Sequence, residues 1–431
     1  MEKSRIIEYY SQISDNAILC RSCGMCAGVC PKGAVSMEKN EFSQYIPKLD
    51  TDLCVGCSKC INVCTARKST ISNQSVIGKF IKIFLIRATD KDISEKSSSG
   101  GAVTALLKYG LENGYFSSVL TLDSKNAPVC AEPVIKTEIT ALDASSKYVC
   151  APLCTKYSTN FKNAAATVLP CQAQSIRKID SDTFLFGLFC SKLSTPDLIR
   201  RMSKGKSVDT IKRTAYREGV WPGNFKIDYS DGTQVSQKLN RSQFGAVYNS
   251  YLYACQGCLL CNDYFAEYAD LSCGDPWGKA QYNENYIGQT VVVVRSQRAL
   301  SLVEAAHKNG AIEVEDCSLE EVIKGHLKEI YNKKTAISQR LEYAKAKTDA
   351  LADFGESSFI NAPSSKPLNR FSINNCLKIK EKGKYEKTFS QSDKVLFVKR
   401  FSHAYLLKKY LKNKGHYGIY LKIAADEKTE A

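Results

Sequence analysis

The sequence lacks any long apolar run. Its richest stretches, around Phe184 to Cys190 and Val291 to Val294, fall far short of the roughly 18 residues that a membrane span needs. The opening residues, MEKSRIIEYY, offer no basic stretch followed by an apolar core of the kind a secretory signal requires, so export is not expected. No G-x-S-x-G, P-loop or full G-x-G-x-x-G occurs, which argues against hydrolase, kinase and ordinary nicotinamide chemistry. Histidine is scarce, four residues in 431, and none has a local partner that marks it as a catalyst. His307 falls on the polar face of a predicted helix, a solvated position. No recognisable nucleic-acid module accompanies the formal net charge of +16, so the charge reads as a lysine-rich surface suited to acidic partners or substrates, and nucleic acid is not expected.

What is abundant is cysteine. The chain carries 19, eight of them between Cys20 and Cys64. Without a signal peptide these read as metal or catalytic residues rather than disulfides, because cytosolic thiols are kept reduced. The expected location is cytoplasmic, at most peripheral to a membrane complex through partners. A hydrophobic share of 44% and a charged share of 24% are globular values, and the length suggests two or three domains.

The first of these, residues 1–75, repeats itself. Cys20, Cys23, Cys26 and Cys30 recur 34 positions later as Cys54, Cys57, Cys60 and Cys64. The run from Cys20 to Pro31 is C-x2-C-x2-C-x3-C-P, the bacterial two-cluster 4Fe-4S ferredoxin pattern. Two-residue intervals curl the backbone around a cubane so that three thiolates face it, while the fourth points to the other cluster. The expected sets are therefore Cys20, Cys23, Cys26 and Cys64, and Cys54, Cys57, Cys60 and Cys30. Structural zinc also uses C-x-x-C pairs, but does not call for this triple pairing twice over. Thr65 stands where a second proline is usual. The polar stretch from Arg67 to Gln74 reads as a linker.

From about Phe80 the pattern changes to alternating strands and helices, an α/β (α+β) domain expected over residues 76–334. Ile81, Ile83 and Leu85 alternate as a strand does. Ser97 to Ser99 offer N-cap hydroxyls to a helix carrying Val103, Leu106, Leu107 and Leu111. Further strands are expected at Val119–Leu122, Ala165–Leu169 and Phe184–Phe189. The last two run into Cys171 and Cys190, just past strand carboxyl ends, where open α/β sheets place ligands. Residues 335–431 drift to Lys, Ser, Asn and Tyr and read as an extension of unknown role. Truncation after Lys334 is expected to spare the cofactors.

Cys255, Cys258 and Cys261 form a third group, C-x2-C-x2-C, without a nearby fourth. A 4Fe-4S site here must recruit a distant ligand, with Cys171 and Cys190 the candidates; a zinc knuckle or reduced structural thiols are the alternatives. Isolated cysteines, at 130, 150, 154, 317 and 376, read as buried small hydrophobes. The SSSGG stretch at Ser97 to Gly101 could bring backbone close to a planar or anionic ligand, or simply be a serine-capped helix.

Ordered pieces of the chain, among them SSSGGAVTALLKYGLENG, VLPCQAQSIRK, GLFCSKLSTPDLI, YREGVWPG, CLLCNDYFAEYADLSCGD and GQTVVVVRS, resemble the beta subunits of coenzyme F420-dependent hydrogenases and dehydrogenases from about Lys79 to Glu315. The resemblance implies an oxidoreductase that binds FAD and a 4Fe-4S cluster and exchanges hydride with the deazaflavin F420. It implies FAD contacts at Ser99, Gly100, Gly101 and Thr104, with Gly274 and Asp275 near the flavin. The family's cysteine positions match Cys171, Cys190, Cys258 and Cys261, and leave Cys255 as an extra. With the ferredoxin-like N-terminus, the whole looks like the electron-input subunit of F420-oxidising membrane dehydrogenases. Partners implied are ferredoxin, hydrogenase or membrane dehydrogenase subunits. The alternatives are a ferredoxin-dependent reductase of another organic substrate and a non-catalytic electron-transfer subunit. Valine at Gly101 is expected to abolish FAD binding.

Overall fold

A computed structural model describes residues 2–67, 74–124, 128–158, 161–239, 242–278, 288–348 and 360–430. Most of the linker expected from Arg67 to Gln74 lies outside them. At the N-terminus the helix Glu2–Asp15 packs on a hairpin of β1 (Val35–Lys39) and β2 (Tyr45–Leu49), paired antiparallel with Val35 opposite Leu49. The cysteine loops lie on either side of this hairpin in sequence. Their backbone repeats as their cysteines do. Ser22 (φ 55°) and Gly24 (φ 84°) adopt the left-handed conformation in the first loop, and Gly56 (φ 73°) and Ser58 (φ 58°) adopt it 34 residues later. This is the curl that the spacing requires, and serine accepts the unfavourable region at one position of each loop.

The centre is an eight-stranded sheet. Its strands are β3 (Lys82–Ala88), β4 (Ser118–Asp123), β5 (Glu132–Lys136), β6 (Ala164–Val168), β7 (Phe184–Leu188), β11 (Leu271–Gly274), β12 (Thr290–Val294) and β13 (Ile312–Asp316), in the order β13-β3-β12-β11-β7-β6-β4-β5. The four strands β11, β7, β6 and β4 run parallel, flanked by antiparallel neighbours. A separate antiparallel sheet joins β8 (Ile211–Glu218), β9 (Asn224–Tyr229) and β10 (Gln234–Lys238). Among the described residues no helix is long and apolar enough to cross a membrane.

Both faces of the large sheet are covered, which suits strands that are apolar on both sides. Along β3, Phe84, Ile86 and Ala88 enter a core with the helices Ala102–Glu112 and Gln297–Lys308, while Ile83 and Leu85 enter another with the helix Leu319–Ile330. The helix expected after Ser97–Ser99 is present but is not serine-capped. Gly101 is its N-cap at φ 79°. The Ser97 and Ser99 hydroxyls donate to the carbonyls of Ile93 and Gln289, and that of Ser98 accepts from the Ser146 N–H.

The segment after Lys334 is woven into these cores. Lys333, Lys334 and Thr335 are all buried, so the expected boundary falls inside a packed turn. Ile337, Leu341, Ile373 and Leu377 pack with Ile6, Ile13 and Leu19 of the N-terminal unit. Leu407, Leu411, Tyr420 and Ala424 pack with Val291 and Val293 of β12. Near the end of the chain, the Glu427 carboxylate accepts the N–H groups of Val76, Ile77 and Gly78 at 2.6, 2.7 and 2.9 Å. Of the isolated cysteines, Cys150, Cys154 and Cys376 are buried, whereas Cys130 and Cys317 are half-buried. The last two adjoin β5 and β13, the edge strands of the sheet among the described residues.

Candidate electron-transfer site

Two small cavities in the N-terminal unit sort its cysteines. One is lined by Cys54, Cys57, Cys60 and Cys30. The other is lined by Cys20, Cys23, Cys26 and Cys64, with Cys60 at its border. Each space thus meets three thiols of one loop and the fourth of the other. The backbone supports them, with N–H donation from Ser22 to Cys20 Sγ and from Ala34 to Cys30 Sγ, both at 3.3 Å.

The third group gathers where the N-terminal unit meets the sheet. Burial pushes the Cys171 thiol up, and Cys23, Cys261, Cys258 and Cys190 add to the rise. Burial likewise raises Cys190, with Lys333 drawing it down and Cys258 and Cys261 opposing its ionisation. Cys171 and Cys190, with Cys258 and Cys261 beside them, form a set of thiols whose ionised forms the cationic core of an iron–sulfur cluster would stabilise. Cys255 lies between Cys150 and Cys258: hydrogen bonds to both, Cys150 first, raise its thiol, and the contact draws Cys258 down to about 6. Cys150 and Cys255 are fully buried. The first cysteine loop abuts this group closely: a Cβ on Gly257 would fall 1.9 Å from the Cys20 carbonyl oxygen, and Arg21 Nη2 donates to the Leu260 carbonyl at 3.1 Å.

A cavity of about 570 Å³ opens beside the third group, at the carboxyl ends of the parallel strands, the position at which such sheets bind ligands. Of the residues singled out in the sequence, Ser99, Gly101, Thr104, Gly274 and Asp275 line it, as does Cys190. Gly100 does not face it, since a Cβ there would fall 2.7 Å from Gln289 Cα and 2.8 Å from the Ile86 oxygen. Gly101 combines its positive φ with Ile93 Cγ2 only 2.9 Å from a Cβ position, so valine would strain the loop before reaching the cavity. At Gly274 a Cβ would meet the Phe189 ring at 1.9 Å. The volume and the mixture of hydroxyls, backbone and aromatic walls fit a large planar cofactor.

Several groups on these walls escape a sequence reading. Arg217 on β8 is buried and reaches Asp275 across to the large sheet. His326 lies between Tyr264, whose hydroxyl donates to Nδ1 at 3.0 Å, and the Asp275 carbonyl oxygen, which accepts from Nε2 at 3.1 Å. Burial lowers its pKa to about 4, so it is neutral. Lys333 is buried beside Cys261, Cys190 and Cys258. Burial works to lower it, but the thiols outweigh burial and raise it. Lys192 and Arg217 lie within the motifs GLFCSKLSTPDLI and YREGVWPG, which could have drawn attention to them, whereas His326 and Lys333 lie in none.

Comparison with known proteins agrees with this layout. Residues 83–155 and 161–320 match the N-terminal and C-terminal models of the coenzyme F420 hydrogenase/dehydrogenase beta subunit, and residues 19–67 match a 4Fe-4S dicluster domain. The F420-dependent formate dehydrogenase subunit beta of Methanocaldococcus jannaschii is 29% identical over 258 residues, 55% of this chain and 62% of that protein. The coenzyme F420-dependent sulfite reductase of the same organism is 24% identical over 336 residues, 71% of this chain and 48% of that protein. The chain therefore spans less than two thirds of the length of these two relatives. A chain of the F420-reducing [NiFe] hydrogenase complex from Methanosarcina barkeri shares the fold, with a TM-score of 0.50 and 20% identity over 64% of this chain and 96% of that one. By its two matched halves and its cysteine-rich N-terminus, the chain belongs to the coenzyme F420 hydrogenase/dehydrogenase beta subunit family, joined to a 4Fe-4S dicluster domain.

Proposed function

We propose that this protein is an iron–sulfur flavoprotein that exchanges electrons between reduced coenzyme F420 and one-electron carriers. The observation that carries the reading is the double position of Cys190, which lines the large cavity and also neighbours Cys171, Cys258 and Cys261. A redox group in the cavity would therefore sit against a cluster held by those four thiols. The Cys171 side of that set adjoins Cys23 of the first N-terminal set, and Cys57 of the second is exposed. The order cavity, third set, first set, second set and surface is a continuous route.

FAD bound in the cavity supplies the exchange between hydride and single electrons, which a chain of clusters alone lacks. Ser99, Gly101 and Thr104 would hold it from the wall formed at the start of the helix Ala102–Glu112, with Gly274 and Asp275 on the facing wall. Three clusters are assigned: two to the N-terminal sets and one to Cys171, Cys190, Cys258 and Cys261. Arg217 fixes Asp275, and neutral His326 offers no charge to the reacting region. The partner is a redox protein or complex that meets the exposed second set, in keeping with relatives whose names describe subunits of dehydrogenases and hydrogenases.

Protein purified without oxygen should contain FAD and about twelve irons, and should reduce a one-electron dye with reduced F420. Thr104→Val should lower FAD occupancy while leaving iron unchanged. Protein that holds iron but neither binds flavin nor oxidises reduced F420 would defeat the reading.

A further inference from the structure

Part of one wall of the large cavity belongs to neither matched half of the family. Lys328 and Glu329 lie at the end of the helix Leu319–Ile330, beyond residue 320, and Arg400 lies on the helix Asp393–Asn413 in the C-terminal segment. All three line the cavity together with Lys192. They approach from the sheet face covered by Leu319–Ile330, opposite the face whose helix begins near Ser99 and Thr104.

The charges on this wall do not balance. Lys328 pairs with Glu329 at 2.9 Å. Burial works to raise the Glu329 carboxyl, yet Lys328, Lys192 and Arg400 outweigh it and bring it down to about 2, so it is ionised. Lys328, Arg400 and Lys192, the last lowered by burial to about 7, then face one carboxylate. Lys192 and Arg400 are both more than nine-tenths buried, at 4% and 9% exposed. Lys192 Nζ stands 3.9 Å from the Tyr248 ring centroid and 4.7 Å from that of Tyr251. Arg400 has a more telling deficit: its Nε and Nη1 are buried and find no hydrogen-bond partner among the described residues. An unsatisfied buried guanidinium is costly, and its planar fork matches a carboxylate or phosphate.

We propose that Arg400, Lys192 and Lys328 form an oxyanion subsite that holds a carboxylate or phosphate of the molecule oxidised or reduced in this cavity. The substrate is then an anionic organic molecule, and the segment after Lys334 takes part in selecting it. This deepens the proposed function and rests on it only in calling the ligand a substrate. Carboxylate and phosphate on a substrate share their chemistry with the diphosphate of FAD. The substrate is the source favoured here, because the residues assigned to FAD at Ser99, Gly101 and Thr104 come from the opposite sheet face.

The test is calorimetric titration of the full chain, purified anaerobically and saturated with flavin, with inorganic phosphate at low ionic strength. Wild type should bind phosphate saturably, and Arg400→Gln should weaken binding by about tenfold or more, as loss of a buried charge-assisted pair does. Arg400→Lys should recover part of the affinity, and flavin and iron content should be equal in all three proteins. Absence of saturable binding in wild type would overturn the proposal. So would unchanged binding in Arg400→Gln, or loss of flavin from that variant, which would assign the cation to the diphosphate of FAD. If Arg400→Gln fails to fold, Lys328→Gln is titrated in the same way; weakened binding supports the subsite and wild-type binding refutes it. The titration involves no electron transfer. Protein that binds phosphate but cannot oxidise reduced F420 would refute the proposed function and leave the subsite standing.

Discussion

Arg217 places Nη1 2.7 Å from both carboxylate oxygens of Asp275. The pair ties the small sheet to the end of β11, and Trp221 Nε1 donates to the same carboxylate at 3.1 Å. Asp275 therefore acts as an anchor whose backbone carbonyl also receives His326. Asp275→Asn would leave a buried guanidinium without its counter-ion, at a cost of about 3 kcal/mol. Urea denaturation of Asp275→Asn should show this loss. The double variant Arg217→Met with Asp275→Asn should be less destabilised than the sum of its parts, since the second change removes the orphaned charge. Additive losses would mean that the pair contributes no coupling.

The C-terminal segment supplies the helices that cover β12 and brace the N-terminal unit. Truncation after Lys334 should expose Val291 and Val293 and free the chain around Val76 from Glu427. The shortened protein is expected to be insoluble, or to lack the N-terminal clusters as well as flavin. Iron and flavin analysis of any soluble fraction checks this, and full cofactor content would show that the segment is dispensable.

The N-terminal cysteine sets were legible because cluster geometry is imposed by local spacing: two residues between thiols make one curl, and Ser22 and Gly24 repeat it at Gly56 and Ser58. The strands of the large sheet were legible because Ile83 and Leu85 alternate with Phe84 and Ile86, even though both series prove buried. What could not be read were contacts made by tertiary convergence. Arg400 and His326 have unremarkable neighbours in sequence and matter only because helices Leu319–Ile330 and Asp393–Asn413, separated in sequence, meet at the ends of strands from earlier in the chain. The drift in composition after Lys334 signalled a change of chemistry, yet carried no sign that this segment covers a sheet face.

Acid should destabilise the fold through its buried histidines. Burial lowers His326 from 6.5 to about 4, and burial also lowers His403 to about 4. As pH falls through about 6.5 the unfolded chain takes up protons that the folded chain refuses until about pH 4, so stability present above that window is lost within it. His326→Gln should remove up to about 3 kcal/mol of this loss at pH 4. Urea midpoints of wild type and variant, compared at pH 7 and pH 4.5, should converge toward acid; a constant gap between them would contradict a depressed His326.

Cys255 and Cys258 should behave differently although they belong to one motif. Cys255 sits between Cys150 and Cys258 in an apolar pocket with Leu193, and since the proposed ligands are Cys171, Cys190, Cys258 and Cys261, Cys255→Ser should keep all irons. Cys258→Ser should lose about four irons and one electron paramagnetic resonance signal while keeping the N-terminal clusters. Iron loss in Cys255→Ser alone would exchange the assignments.

Lys333 offers the sharpest electrostatic test of the third set. It is 3% exposed, and the thiols of Cys261, Cys190 and Cys258 outweigh burial to keep its ammonium charged. A fixed positive charge beside a cluster stabilises the extra electron of the reduced state, and burial limits screening by solvent. Lys333→Met should therefore shift the midpoint of the third cluster to more negative potential, by an amount on the order of tens of millivolts. Lys333→Arg should stay close to wild type. Potentiometric titration followed by electron paramagnetic resonance reads all three clusters in one sample, so the two N-terminal midpoints serve as internal controls. If every midpoint moved together, the substitution would have disturbed the fold. If none moved while iron content stayed full, the cluster would lie away from Lys333, and Cys171, Cys190, Cys258 and Cys261 could not all be its ligands.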